Sequence, residues 1–439
     1  LTDEPNAAPL TAEWFGARLE ALDITDGFAI AVSGGRDSMA LARLSAAYAK
    51  KTGARILALT VDHGLRSDSA KEAAQASEWC KAAGLTHRLL RWKGEKPASG
   101  VQDAARRARY GLLVRAAEET GFDALLTAHS ADDQAQTLFM RLVRGAGPQG
   151  LAAMTEEMSI AAGAGAPIRL LRPLLTVSRA LLTATVDMFD QPYSDDPGND
   201  DPTYERVRTR ALLAALEQQG LLKQQALLKT ASRMAAAARR LKAKEDALFQ
   251  SLNGCFYRWG VAALDEPACR SAAFEELSAL GRRLIFTVSG QDYAPEPEAA
   301  AEALNVCLAT GAATLGGALL KVEAGRLWFL REPAALTGRA GVKPAGRTPL
   351  KTGDPILWDN RFIVTASVGG GGLEIGPADA RTLEAAPFSG PRDASIAAPG
   401  IFRDGALIAA PWGLSNQQVG IRFESLCRER FEGGIVRFA

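Results

Sequence analysis

Between Phe28 and Leu44 the sequence reads FAIAVSGGRDSMALARL, and no other stretch narrows the possible folds as much. Its left half, Phe28 to Val32, is short and continuously apolar, the pattern of a strand buried on both faces of a parallel sheet. Its right half sets Met39, Leu41, Ala42 and Leu44 at helical spacing. Between them Gly34 and Gly35 permit a turn other residues resist, and leave no side chain in a ligand's way. A strand, a glycine turn and a helix start aim several backbone N–H groups at one point, along the positive end of the helix dipole. That is an anion site, and phosphate is its usual occupant. Neither G-x-x-x-x-G-K-[ST] nor G-x-G-x-x-G is present, so this is not the ordinary NTPase loop or a dinucleotide fingerprint. A plain strand-to-helix turn is the alternative, but it has no need of Ser33, Asp37 and Ser38 around the glycines.

The alternation continues downstream. A strand over Ile56–Val61 leads into Asp62-His63-Gly64-Leu65-Arg66 and a helix near 69–83. A third strand is expected at 86–92, an amphipathic helix over VQDAARRARYGLLVRAAEETG, and a fourth strand at 122–129. Ser130 then caps a helix carrying Asp132, Asp133 and Gln136. Strands and helices alternating in this way predict an α/β fold with a doubly wound parallel sheet. Ligands on such sheets bind beyond the carboxyl ends of the strands, where the 33–38 loop, His63 and the segment after His129 all fall. RGAGPQGLAAM and AAGAGAPIRL read as a loop and hairpin leading to LLRPLL, and the run around Asp196-Pro197-Gly198-Asn199-Asp200 as irregular.

From Arg206 to Gln250 the pattern turns helical and basic, with ten Lys and Arg against four Asp and Glu over 202–250. By charge alone this is either a solvated helix face or a nucleic-acid contact. Beyond 251 short strands and helices alternate, with two strands expected around a turn at Ala324-Gly325. After the Pro/Gly-rich GRAGVKPAGRTP a mostly β module follows. The expected division is a catalytic domain over 1–205, a basic helical linker over 206–250, a small α+β module over 251–335 and a mostly β module over 346–439. On this reading the strands and loops of the nucleotide site are complete before residue 250.

With 439 residues, 47% of them hydrophobic and 23% charged, the chain is that of a soluble globular protein of two or three domains. Its net charge of +1 announces no global field for nucleic acid, so any such site is local. Five scattered cysteines without a C-x-x-C, and three histidines, indicate no zinc ribbon, disulfide scaffold or His-rich metal site. The opening LTDEPNAAPLTAEW lacks a basic-then-apolar signal, and no apolar run approaches the roughly 18 residues of a membrane span. The expected compartment is the cytoplasm.

S-G-G-x-D-S after a buried strand resembles the loop of the N-type ATP pyrophosphatases, which split ATP between its α and β phosphates. The motifs that follow occur in one order: Asp62 to Arg66, AARRARY at 104–110, AHSADDQAQTLFMRLVRGAGPQGL, RPLL, then the Asp-Pro-Gly-Asn-Asp and Arg-rich run. That order resembles the bacterial tRNA(Ile)-lysidine synthetases over roughly 25–215 and, more weakly, beyond. The resemblance implies adenylation of the wobble cytidine of a CAU-anticodon isoleucine tRNA, followed by attack of free L-lysine, with AMP and pyrophosphate released. It implies that Ser33, Gly34, Gly35, Arg36, Asp37 and Ser38 bind ATP together with His63 and Arg66, with Mg²⁺ near Asp37. Asp37, Arg109 and Asp133 are the implied catalytic residues, Asp132, Asp133 and Gln136 those facing lysine and the base, and Arg206, Arg208 and Arg210 the tRNA contacts. By themselves His63 could be a structural histidine, and Asp132 and Asp133 could simply suit a helix dipole.

Three positions depart from the family pattern. Ser130 stands where a second histidine is frequent, Gln136 where glutamate is usual, and Val207 where the Arg-Asn-x-x-Arg pattern has asparagine. Asp133 then carries more of the lysine recognition, because Gln136 accepts a hydrogen bond but brings no charge. A sulfur-inserting enzyme with the same loop would need paired cysteines, a silent nucleotide sensor would have lost Asp37 or the Asp132-Asp133 pair, and an enzyme amidating a small molecule through an adenylate would explain neither the basic helices nor the C-terminal modules.

Overall fold

The computed structural model describes residues 8–24, 26–94, 96–97, 99–194, 203–338, 346–367, 371–378, 390–413 and 420–438. The Asp-Pro-Gly-Asn-Asp run and most of the GRAGVKPAGRTP linker lie outside the described residues. The chain divides into two compact units: residues 1–240 with 436–439, and residues 241–435.

In chain order the first unit carries α1 (Ala12–Glu20), β1 (Gly27–Ala31), α2 (Arg36–Thr52), β2 (Arg55–Asp62), α3 (Ser69–Ala82), β3 (Thr86–Arg91) and α4 (Val101–Glu119). Next come β4 (Ala124–Leu126), α5 (Ala131–Val143), α6 (Pro148–Leu151), β5 (Glu157–Ala162), β6 (Ile168–Leu171), α7 (Arg179–Met188) and α8 (Glu205–Gln218). The unit boundary falls within α9 (Gln224–Ser251). β3, β2, β1, β4 and β6 run parallel in that spatial order, and β5 returns antiparallel on β6, the expected hairpin.

Both faces of the sheet are covered, which is why β1 is apolar throughout. On one face Phe28 and Ile30 pack with Phe15, Leu19, Met39, Leu41, Leu182 and Val186 from α1, α2 and α7. On the other, Ala29, Leu57 and Leu125 meet Tyr110, Leu113 and Val114 of α4. Helices α5 and α9 share a smaller cluster of Ala135, Leu138, Leu227 and Ala231. The sheet thus holds its helices rigidly while its carboxyl ends stay open, and β1, β2 and β4 end side by side there.

The second unit contains β7 (Cys255–Tyr257), β8 (Val261–Asp265), α10 (Glu266–Ser271), α11 (Phe274–Ser289), α12 (Pro297–Thr310), β9 (Ala312–Leu315), β10 (Ala318–Glu323), β11 (Arg326–Arg331) and α13 (Ala334–Thr337). Where two strands were expected, three are present: Gly316 and Gly317, both at positive φ, turn the chain between β9 and β10 as well. Further on lie β12 (Thr348–Pro349), β13 (Ile356–Trp358), β14 (Phe362–Ala366), β15 (Leu373–Pro377), α14 (Arg392–Ile396), β16 (Pro399–Arg403), β17 (Ala406–Ala409), β18 (Ile421–Ser425) and α15 (Cys427–Glu432). They form a four-stranded and a three-stranded antiparallel sheet.

The last strand, β19 (Ile435–Phe438), does not join them. It is the edge strand of the first unit's sheet, next to β5. β1, β2 and β4, with the loops at their carboxyl ends, all precede residue 250 as expected, but the sheet they belong to takes its edge strand from beyond it. Among the described residues no helix is long and apolar enough to cross a membrane.

Candidate functional site

Where β1 gives way to α2, Gly34 sits at φ +89°, a conformation that side chains rarely adopt, and a Cβ there would lie 3.3 Å from the Ala76 methyl. Gly35 is different: it caps α2 at φ −71° and its missing side chain leaves the helix start bare. The two serines close the loop on itself. Ser38 Oγ lies 3.2 Å from Ser33 Oγ, donates to the Gly35 carbonyl at 2.8 Å and accepts from the Ser33 N–H at 3.2 Å. Asp37, in the first turn of α2, meets Arg36 Nε at 3.4 Å and Arg179 Nη2 at 3.7 Å. Burial raises its pKa and Asp133 adds to that, while Arg179 and Arg36 oppose it. A desolvated carboxylate beside a bare helix N-terminus is poised for a cation that arrives together with anions.

Around this loop opens a cavity of about 870 Å³ whose walls include Ser33, Asp37, His63, Arg66, Arg109 and His129. Asp62 shapes the β2–α3 turn by accepting from the Gly64 N–H at 3.0 Å and Ser69 Oγ at 2.8 Å. That turn presents His63, whose Nδ1 is buried without a hydrogen-bond partner among the described residues. Burial lowers its pKa, and the Arg109 charge lowers it further. Arg66 pairs with Glu72 at 2.9 Å on the rim. His129 bonds through Nδ1 to Thr127 Oγ1 at 2.9 Å, and burial pushes its pKa down to about 3.

A second cavity, about 480 Å³, is lined by Asp133, Gln136, Arg179, Arg206 and Arg210 and shares Gln102 and Tyr204 with the first. Asp133 does two things at once. Its Oδ2 accepts from the Ser130 N–H (2.9 Å) and Oγ (3.2 Å), which fixes the start of α5, while its Oδ1 pairs with Arg206 Nη2 at 3.0 Å. Arg206 Nε also donates to Gln136 Oε1 at 3.1 Å. Asp132 turns to the backbone of α7, accepting the Arg179 N–H at 2.8 Å. Arg208 donates to the Thr203 carbonyl at 2.8 Å.

The structure thus gathers Ser33, Asp37 and Ser38 of the loop with His63, Arg66 and Arg109 in one cavity, and Asp133, Gln136, Arg206 and Arg210 in its neighbour, while Gly34, Gly35 and Arg36 do not line the first. Asp132 and Arg208 face backbone instead. Sequence reasoning missed His129 and Arg179, the residue that spans from Asp37 to the second cavity. A signal for Arg179 existed: a cation in a helix's first turn is electrostatically out of place and needs a reason. Among the described residues no group of three or more His, Cys, Asp or Glu could hold a metal.

Residues 15–216 match the family model described as a PP-loop domain. A tRNA(Ile)-lysidine synthase of Methylobacterium sp. (strain 4-46) is 38% identical over 354 residues, 77% of this chain and 98% of that one. The tRNA(Ile)-lysidine synthase of Ruegeria pomeroyi is 34% identical over 402 residues, covering 88% and 89%. That of Bradyrhizobium sp. (strain BTAi1) is 50% identical over 193 residues, 44% of this chain and 52% of the relative. Among solved structures, the U34-tRNA thiolase NcsA from Methanococcus maripaludis overlaps 49% of this chain and 76% of its own, at 19% identity and a TM-score of 0.41.

Proposed function

The chain belongs to the tRNA(Ile)-lysidine synthase family, and from that premise we propose that it ligates free L-lysine to C2 of the wobble cytidine, position 34, of a CAU-anticodon isoleucine tRNA. The reaction consumes ATP and releases AMP and pyrophosphate. The observation that carries this reading is the 3.7 Å contact of Arg179 with Asp37, which joins an anion-binding loop to a cavity holding a carboxylate for an amine.

In the first step the cytidine O2 attacks the α-phosphate and pyrophosphate leaves; in the second the lysine ε-amine attacks C2 and AMP leaves. Both steps build charge on phosphate oxygens, so catalysis is placement plus electrostatics. The free N–H groups at the start of α2 receive pyrophosphate, closed in by Ser33 and Ser38. Arg109, His63 and Arg66 face the rest of the nucleotide. Mg²⁺ fits one desolvated carboxylate, Asp37, completed by substrate phosphates and water, which is its usual manner of binding. When bound it neutralises phosphate charge.

Asp133 receives the lysine ammonium, with Gln136 as a neutral acceptor. Arg206 engages both acceptors, so lysine enters by displacing one cation with another. Asp132 contributes by fixing the first turn of α7, and thereby Arg179. The basic region 206–250, with Arg208 exposed on it, grips the tRNA together with the modules 251–335 and 346–439. The tRNA substrate makes the cytoplasm the working compartment. Sulfur transfer lacks its chemistry: Cys80 is the single cysteine of the first unit, and burial pushes its thiol up to about 12.

Incubation of an isoleucine tRNA carrying CAU with ATP and lysine tests the reading. Nuclease digestion and mass spectrometry should show lysidine at position 34, with AMP and pyrophosphate in equal amounts. ADP as the main nucleotide product refutes it.

A further inference from the structure

After leaving the first unit at Arg240, the chain returns to it at Val436. The return is built in at several points. The Gly163 N–H donates to the Phe438 carbonyl at 2.6 Å, and Arg437 Nη1 donates to the Gly163 and Gly165 carbonyls, each at 3.1 Å. The Phe438 ring stacks on Tyr110, centroids 5.0 Å apart and planes 15° from parallel. Tyr110 is only 1% exposed and lines the nucleotide cavity. Over that same ring lie two guanidinium groups of α4, Arg106 at 5.1 Å and Arg109 at 5.2 Å. Sheet closure alone needs only the backbone of β19. The aromatic ring at 438 reaches further, to the platform on which Arg109 rests.

We propose that Phe438 is a positioning residue for the nucleotide: by stacking on Tyr110 it fixes the ring that holds Arg109 against the ATP cavity. The inference rests on the reading above in one respect, that Arg109 faces the nucleotide. It adds that a residue of β19, more than three hundred positions from Arg109 in sequence, sets ATP affinity.

The test uses the full chain with Phe438→Ala, Phe438→Leu and Phe438→Trp. Binding of α,β-methylene-ATP by calorimetry is the first readout, since it needs no turnover. Loss of one aromatic stack corresponds to about a three- to tenfold weaker affinity, for Phe438→Leu as well as Phe438→Ala, with recovery in Phe438→Trp. In steady-state kinetics the KM for ATP should rise by about the same factor while the KM for lysine stays within about twofold. The His63 ring gives a reading that mere loosening of the edge strand would not move. Its NMR titration midpoint should rise as the Arg109 charge drifts away. Leu keeps the apolar bulk, so it serves where the alanine variant melts early. Unchanged analogue affinity in the leucine variant, or an unmoved His63 midpoint, overturns the proposal. A wild type that binds the analogue yet forms no lysidine overturns the functional reading, and leaves the calorimetric test of the stack standing.

Discussion

Acidification from pH 7 to pH 5 should destabilise the protein through His129. The half-buried ring lines the cavity beside Thr127, and desolvation is the main cause of its low pKa; Asp133 favours the charged form, but Arg172, Arg109 and Arg206 oppose it. In the unfolded chain it titrates near 6.5, in the folded protein near 3. Between those values the unfolded state binds more protons, so stability falls as pH falls. At pH 5 the loss is about 2 kcal/mol, from RT ln(1 + 10^1.5), and any folded value below about 4 gives the same figure. In a unit of this size that lowers Tm by roughly 4–8 °C. His63 and His87 are lowered too, so the wild type loses more in total, and the comparison with His129→Asn isolates the one ring. Melting both proteins at pH 7 and pH 5 should show a smaller acid loss in the variant. With three histidines in the chain, the ring Cε1 protons also give a direct reading: the His129 signal should not shift between pH 8 and pH 5. A His129 midpoint near 6.5, or an equal acid loss in both proteins, would refute the assignment of a buried neutral imidazole.

Asp37→Asn keeps the shape of the loop and removes its charge, so lysidine formation should fall about 10²- to 10³-fold with Tm nearly unchanged. The two loop glycines should respond differently in a melting and analogue-binding comparison. Gly34→Ala forces a Cβ into the left-handed region and should cost about 1–2 kcal/mol along with nucleotide affinity, while Gly35→Ala, at φ −71°, should leave stability within about 0.5 kcal/mol. Affinity for tRNA should fall steeply with salt, and Arg208→Glu combined with Arg239→Glu and Arg240→Glu should lower both the affinity and its slope on log salt, by about one unit for each phosphate no longer neutralised. Binding of the ATP analogue by that variant should be unaltered.

What the sequence made legible was local. The apolar run Phe28–Val32, the glycine turn and the 3.6-residue spacing after Asp37 are set by neighbours in the chain, and β1, the loop and α2 lie where that pattern puts them. Long-range partners were not legible. Nothing in IVRF distinguishes an edge strand of the first sheet from one more strand of the β module, because a run of four residues, three of them apolar, fits either. The same limit applies to the Asp132-Asp133 pair. Adjacent acids in a helix's first turn look alike in sequence, yet one side chain reaches back to Ser130 and across to Arg206, and the other reaches α7. Rotation by about 100° per residue around α5 separates their roles.

The family departures gain a physical account from the same geometry. Ser130 is fully buried and bonds Asp133 Oδ2 through both its N–H and its hydroxyl, so a small residue here orients the carboxylate. Gln136 keeps an acceptor at 3.1 Å from Arg206 while leaving Asp133 as the single charge that Arg206 neutralises. A glutamate at 136 would hold the arginine more tightly, and the incoming ammonium would face a stronger competitor for the same pocket. On the proposed reading, one charge lets an amine exchange with the guanidinium more readily than two would. Gln136→Glu should therefore slow lysine association in stopped-flow mixing, even where the final affinity is higher. An association rate equal to or above that of the wild type would show that Arg206 is not the group being displaced.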